Sequence, residues 1–251
     1  MKKFVIGDIH GNYKALKQCL ERSGFDYEND QLISLGDIVD GYYETFECVE
    51  ELLKIKNLIV IKGNHDDVFH YWMIKGVHMW QWLQGGEGTL KSYVKHSERP
   101  ISIQPYNGAY VTNLTVLDIP ETHRNFYKNM VYYHIDSENR VFVHGGFDRN
   151  FKIEDNSIDT LMWDRTLFQK ALSHTNKDHK FKVEGDYSEI YIGHTTTQNW
   201  GTVEPLVAAN FIYNLDTGAG WTGKLTIMNI ETKEFFQSDL ATDLYPGIRS
   251  R

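Results

Sequence analysis

The sequence is poor in cysteine. Only Cys19 and Cys48 occur in 251 residues. Both fall in stretches with helical spacing, so a disulfide framework is excluded and a reducing compartment is expected. Long apolar runs are also missing. The start, "MKKFVIGDIHG", begins like a signal peptide, but its apolar run is four residues long before Asp8, too short for a signal's apolar core. No later run approaches a membrane span. Cytoplasm is the expected location, with no membrane partner. Nor is there an excess of positive charge. Lys and Arg total 26 against 34 Asp and Glu, a net charge of -8. A nucleic-acid footprint needs clustered cations, and this balance disfavours it. Repeats, low-complexity tracts and linkers are absent too.

What is present suits an α/β domain. The chain is 41% hydrophobic and 24% charged, ordinary for a protein with a real core. "FVIG" reads as a short buried strand. After it, Asn12 is an expected N-cap, Leu16, Cys19 and Leu20 share a helix face, and Gly24 is an expected stop. "QLISLGD" is a second strand. "ETFECVEELLKI" is a second helix, with Phe46, Val49, Leu52 and Leu53 on its apolar face and a solvated acidic face. "NLIVIKGNHD" is a third strand. The β-α-β-α-β order predicts a parallel sheet layered with helices. Residues 66–129 read as a mostly helical, aromatic-rich insertion. "VYYHI", "RVFVHGG", "EIYIGHT", "FIYNLDTG" and "GKLTIMNIETKEFF" resume β structure. One domain, 1–251, is expected.

The ends of these strands carry the chemistry. Asp8 and His10 follow the first, Asp37 and Asp40 the second, and Asn64 and His65 the third. His144 and His194 follow later strands. Parallel strands bring their C-terminal ends to one edge, where ligands bind. Asp8 and His10 are one residue apart, so an extended chain points both the same way. Asp37 has two oxygens, enough to bridge two ions. Asn64 offers a carbonyl oxygen, and His144 and His194 offer imidazoles. Nitrogen and oxygen donors without thiolate suit Mn, Fe or Zn. Two such ions, about 3.5–4 Å apart, can clamp a phosphoryl group for in-line attack.

"GDIHGN", "GDIVD", "GNHDD", "HGG" and "GHT" resemble, in order and spacing, the motifs of the metallophosphoesterases. They are most similar to those of the phosphoprotein phosphatase family and its bacterial members. "LMWDR", "NLDTG" with "GKLTIMNI", and "WLQGGEGTLKSY" are similar to further family segments, the last to its bacterial branch. The resemblance runs from residue 4 to about 230. It implies a sandwich of two mixed sheets with helices outside and metals at one sheet edge. It also implies roles. Asp8 and His10 would bind a first metal, Asp37 would bridge, and Asn64, His144 and His194 would complete a second. Manganese is the expected metal. His65 would be the general acid, its imidazolium favoured by the carboxylate of Asp40. Arg165 matches a phosphate-contacting arginine.

At Gly41 the sequence departs from the family, which usually has arginine there. A Tyr42 hydroxyl is then an expected neutral donor to the phosphate. A gain of phosphomonoester turnover in Gly41→Arg would mark a missing clamp, and no change would mean that Tyr42 or Arg165 already fills that place. The implied activity is phosphoester hydrolysis of the serine/threonine protein phosphatase type, on a phosphoprotein, phosphomonoester or nucleotide. The alternatives are a dinucleoside polyphosphate hydrolase, a phosphodiesterase and an inactive phosphate-binding protein. Asp67 and Glu44 are expected helix-start acids. His70, His78, His96, His123, His134, His174 and His179 are read as structural or surface residues. Tyr71, Trp72, Trp80 and Trp82 are read as core of the insertion.

Overall fold

The computed structural model describes residues 1–76, 82, 84–106, 109–174 and 181–250. Its first strand, β1 (Lys3–Ile6), buries Phe4, Val5 and Ile6 together. A run buried on both faces belongs inside a layered sheet. Accordingly β1 pairs in parallel with β2 (Gln31–Ser34), and β2 with β3 (Asn57–Val60). The crossovers are α1 (Tyr13–Arg22) and α2 (Thr45–Leu52). Asn12 caps α1, accepting the Ala15 N–H at 3.0 Å. Leu16, Cys19 and Leu20 are buried on one side of that helix.

Next come α3 (Asn64–Lys75), α4 (Gly86–Lys95), a hairpin of β4 (Ile103–Tyr106) and β5 (Ala109–Thr112), and α5 (Glu121–Lys128). The stretch read as mostly helical therefore also holds a two-stranded sheet. A proline at 105 and only four residues per strand hide the alternating pattern that would have announced it.

The second half contributes β6 (Tyr133–Ile135), β7 (Arg140–Val143), α6 (Ile158–Trp163), α7 (Thr166–Leu172), β8 (Glu189–Ile192), β9 (Leu206–Ala208) and β10 (Ile212–Asn214). Its sheet runs β6-β7-β8-β10-β9, with β7, β8 and β10 parallel. The chain then returns. β11 (Thr226–Asn229) and β12 (Phe235–Gln237) complete the first sheet in the order β12-β11-β1-β2-β3, and α8 (Ala241–Leu244) follows. Val5, Ile33, Leu35, Phe142, Tyr191 and Met228 pack between the sheets. Larger apolar clusters lie outside them, under the helices. This is the expected α/β arrangement of two mixed sheets flanked by helices. Both cysteines are buried and free. Among the described residues, no helix is long and apolar enough to cross a membrane.

The second helix is rotated from its expected face. Cys48, Val49 and Leu52 are buried, while Leu53 is exposed. The acidic run is not wholly solvated either. Glu51 is only 2% exposed. Its carboxylate accepts from the Tyr27 hydroxyl at 2.5 Å and from Lys54 and Lys17 at 2.6 and 2.9 Å. Burial opposes its charge, but these donors outweigh burial and pull its pKa from 4.5 to about 2. A depressed carboxyl pKa stabilises above the unfolded value and stops doing so as pH falls through the folded one. Glu51→Gln is therefore expected to lose about 1–3 kcal/mol in urea unfolding at pH 7. The difference from wild type should shrink as pH falls from 4.5 toward 2.

Candidate metal centre and active site

The loops after β1, β2, β3, β7 and β8 meet. They bring together Asp8, His10, Asp37, Asn64, His144 and His194, all six candidate ligands, and all are buried. Two triads form, Asp8–His10–Asp37 and Asp37–His144–His194, each with its ligand atoms within 4.8 Å of one another. Asp37 is common to both. Its Oδ2 lies 3.7 Å from His10 Nε2 and 3.4 Å from His144 Nε2. Asn64 Oδ1 is 3.0 Å from His144 Nε2.

The rings are oriented from behind. His10 Nδ1 faces the carbonyls of Val39 and Asp40 at 3.0 and 2.7 Å, and His144 Nδ1 faces the Leu35 carbonyl at 2.8 Å. A carbonyl only accepts, so Nδ1 carries the hydrogen. In the neutral ring, Nε2 then presents a lone pair toward the acids.

Several groups here lack what a buried polar group normally has. Asp8 Oδ1 and His194 Nε2 are buried without a hydrogen-bond partner among the described residues. Burial, Asp216 and Asp37 together push Asp8 well above the usual carboxylate range. Burial also acts on Asp37, yet His144, His65 and His10 pull it well below that range. Burial holds His194 well below the ordinary imidazole value, with His144 and Arg165 adding to the effect. Crowded acids, ring nitrogens aimed inward and stranded atoms with a nitrogen–oxygen donor set fit two divalent cations.

The backbone is unusual at the same place. His10, Asp37, Asp40 and His194 have φ of 51°, 49°, 63° and 66°. Non-glycine residues in this left-handed region cost on the order of 1–2 kcal/mol each, and such strain collects at functional sites.

His65 opens α3 beside the triads. Its backbone N–H donates to Asp37 Oδ1 at 3.0 Å, and its Nδ1 donates to Asp40 Oδ2 at 2.9 Å. The other oxygen of Asp40 accepts from Trp82 Nε1 at 2.9 Å and from the Thr89 hydroxyl at 2.6 Å. The acid serving the helix start is Asp66, not the expected Asp67. Asp66 accepts the N–H groups of Gly63 and Ile38 at 3.0 and 2.9 Å, tying α3 to the loop after β2. Burial and the charge of Asp37 raise Asp66 to about 7. Asp67 instead lies 3.8 Å from Lys62. Glu44 precedes α2 without capping it, and its carboxylate accepts from the Tyr245 hydroxyl.

A cleft of about 510 Å³ opens over the site, lined by Asp37, Asn64, His65, His194, Trp163, Arg165 and Trp221, among others. Arg165 donates from Nη1 to the Thr195 hydroxyl at 2.8 Å and the His194 carbonyl at 3.1 Å, which places its guanidinium beside the triads. A larger hollow of about 1020 Å³, beside Arg149 and Phe181, includes none of these residues.

Tyr42 is placed differently from expectation. It is buried, stacked on Tyr245 at 4.3 Å between ring centroids, and its hydroxyl donates to the Trp221 carbonyl at 3.0 Å. That hydroxyl is committed to the Trp221 backbone, and Tyr42 is not among the residues that line the cleft. Gly41 also has a local reason to be glycine. Its φ is 137°, and a Cβ there would lie 2.8 Å from the His10 carbonyl oxygen. Gly41→Arg should therefore lower stability by about 1–3 kcal/mol. It should also lower phosphomonoester turnover, because His10 must shift. A rise in turnover with an unchanged urea midpoint would contradict this.

Of the remaining histidines, His123 is buried and bonded to the Tyr93 hydroxyl and Glu50, a structural role. Trp72 and Trp82 pack on Phe69 inside the insertion, while Tyr71 is exposed. His78, Trp80 and His179 lie outside the described residues. Sequence reasoning assigned no role to Asp66, Thr89, Asp216 or Trp221, although each lies in or beside a quoted motif.

The calcineurin-like phosphoesterase family matches residues 1–207, the span that supplies all six candidate ligands with His65, Asp40 and Arg165. This chain belongs to the calcineurin-like phosphoesterases. It is thus a phosphoester hydrolase of a family that works with a pair of metal ions. The symmetrical bis(5'-nucleosyl)-tetraphosphatase of Wigglesworthia glossinidia brevipalpis is 23% identical over 281 residues, covering 94% of this phosphoesterase and 98% of that protein. The asymmetrical bis(5'-nucleosyl)-tetraphosphatase PrpE of Oceanobacillus iheyensis is 26% identical over 250 residues, covering 94% and 91%. The fold is also that of a Saccharomyces cerevisiae protein serine/threonine phosphatase, with a TM-score of 0.58 at 11% identity, over 100% of this chain and 82% of the other.

Proposed function

We propose that this phosphoesterase hydrolyses dinucleoside tetraphosphates, the alternative reading of the sequence, in preference to phosphoproteins. The observation that carries the reading is in the cleft wall. Trp163 and Trp221, 41% and 45% exposed, line the same cleft as Asp37, Asn64, His65 and His194. Tryptophan faces beside a phosphate-handling site suit a nucleobase. Bacterial relatives named for this activity, matched along nearly their whole length, support it.

Two bound divalent ions, of the Mn, Fe or Zn class that this donor set suits, would supply an activated water and a positive clamp for phosphoryl oxygens. Asp8, His10 and Asp37 would hold one ion, and Asp37, Asn64, His144 and His194 the other. Arg165 binds a phosphate oxygen. His65, with Nδ1–H held on Asp40, delivers a proton to the leaving oxygen. The two buried thiols fit a reducing compartment, the cytoplasm.

One observation favours a second reading, a phosphomonoesterase of the serine/threonine phosphatase type. The His65–Asp40 pair is fully built, and a departing alkoxide needs its proton far more than a departing nucleotide phosphate does. The deciding experiment compares diadenosine tetraphosphate, a phosphoserine peptide and bis-p-nitrophenyl phosphate with manganese-loaded protein. A kcat/KM for the dinucleotide at least about tenfold above the peptide's is expected, a gap of about 1.4 kcal/mol. The reverse order would establish the second reading, and cleavage of the bis-ester alone would indicate a phosphodiesterase. Trp163→Ala and Trp221→Ala should each raise KM for the dinucleotide about tenfold. The same variants should leave KM for phosphoserine nearly unchanged. Equal effects on both substrates would remove the stacking argument.

A further inference from the structure

We propose that Trp82 and Thr89 are positioning residues for the His65–Asp40 pair. On this view the "WLQGGEGTLKSY" segment is a clamp that fixes the proton donor. The proposal rests on the general-acid role given to His65 above, and assigns a task to a motif the metal chemistry leaves unused.

The geometry is that of a carboxylate held on all sides. Asp40 is fully buried. Oδ2 accepts from His65, and Oδ1 accepts from both Trp82 Nε1 and the Thr89 hydroxyl. Thr89 also acts in the other direction, because its oxygen accepts the Asp40 backbone N–H at 2.9 Å. A hydroxyl has one hydrogen. Having accepted from the Asp40 backbone, Thr89 can donate to the Asp40 side chain only in one orientation. Thr89 thus holds both the backbone and the side chain of Asp40, at a position whose φ is 63°.

The glycines of the motif bring these parts into reach. A Cβ on Gly88 would lie 2.2 Å from the Gly41 carbonyl oxygen, and one on Gly86 would lie 2.3 Å from the Trp82 ring. Without side chains there, the start of α4 seats directly on residues 40–42. The Gly41 N–H donates to the Gly85 carbonyl at 3.0 Å and completes the contact. Left with His65 alone, the Asp40 carboxylate could rotate. His65 would then lose the acceptor that keeps its hydrogen on Nδ1, and with it the ring orientation toward the cleft. A buried hydrogen-bonded network of this kind is where loss of one donor is felt by the others.

The test separates positioning from packing. Trp82→Phe keeps an aromatic ring against Phe69 and removes the N–H. Thr89→Val removes the hydroxyl, and Thr89→Ser restores it. In manganese-loaded protein, Trp82→Phe and Thr89→Val should each lower kcat on phenyl phosphate about tenfold. On 2,4-dinitrophenyl phosphate, whose leaving group needs no proton, the loss should stay below about threefold. Thr89→Ser should restore the wild-type ratio of the two rates. A second readout does not depend on turnover. By NMR, the His65 Nδ1 proton, identified by its absence in His65→Asn, should exchange slowly with solvent in wild type and rapidly in the two damaging variants. His65→Asn also provides the reference for turnover. If it shows the leaving-group dependence while Trp82→Phe and Thr89→Val lower both esters equally, or leave the proton exchange unchanged, the clamp is overturned and the general acid stands. If His65→Asn itself lowers both esters equally, the general-acid reading falls and the clamp falls with it.

Discussion

Replacing His65 with asparagine should lower kcat on phenyl phosphate by about 10²- to 10⁴-fold, the usual contribution of a positioned general acid. Both metal ions should remain. His65 belongs to neither triad; one link to the metal side, a backbone N–H donated to Asp37, survives in asparagine, while the edge-on contact of its ring with His10 does not. The loss should depend on the leaving group. It should be largest for alkyl and phenyl esters, and small for dinucleoside tetraphosphates, which release a stabilised nucleotide anion. Elemental analysis beside the kinetics checks the division of labour. If metal content fell in step with turnover, His65 would be acting on the metal site, and the role given to it would be wrong.

A second large effect is expected at Asp37. It is the one residue common to both triads, and its Oδ2 lies within 3.7 Å of imidazole nitrogens from both. Asp37→Asn keeps the size and one acceptor oxygen but removes the negative charge. An amide oxygen cannot neutralise two dications as a shared carboxylate does. Metal content should fall from two ions per chain toward one or none. Turnover on every ester should fall by at least about 10³-fold, equivalent to roughly 4 kcal/mol of lost transition-state stabilisation. Unlike the His65 variant, this loss should be independent of the leaving group. Retention of two ions and near-normal rates would mean that Asp37 does not join the triads.

The two effects can be foreseen because the strand-end chemistry is legible in the sequence. β1 and β2 are short runs buried on both faces, β3 is a short apolar run that is only partly buried, and each ends in glycine-flanked acids, amides or imidazoles. Parallel pairing must bring such ends together. What stayed hidden depends on angles that a sequence does not carry. A helix turns about 100° per residue, so a small error of phase exposes Leu53 and buries Cys48 and Glu51. The same sensitivity separates Asp66, which caps α3, from its neighbour Asp67, which does not. Tyr42 follows a glycine with φ of 137°, and no spacing rule sets the direction of the next side chain. Trp82 reads as core and does pack as core. Its second role hangs on one indole N–H meeting an acid 42 positions earlier. The hairpin at 103–112 escaped notice because its strands are too short to alternate visibly.

The left-handed backbone at His10, Asp37, Asp40 and His194 bears on how this protein tolerates change. Glycine at any of these four positions would relax the main chain while deleting a ligand or the histidine's partner. A screen for thermal robustness alone would thus tend to drift toward inert variants. Heat-hardened versions that still turn over should carry their substitutions on the outer helices, far from the strand ends.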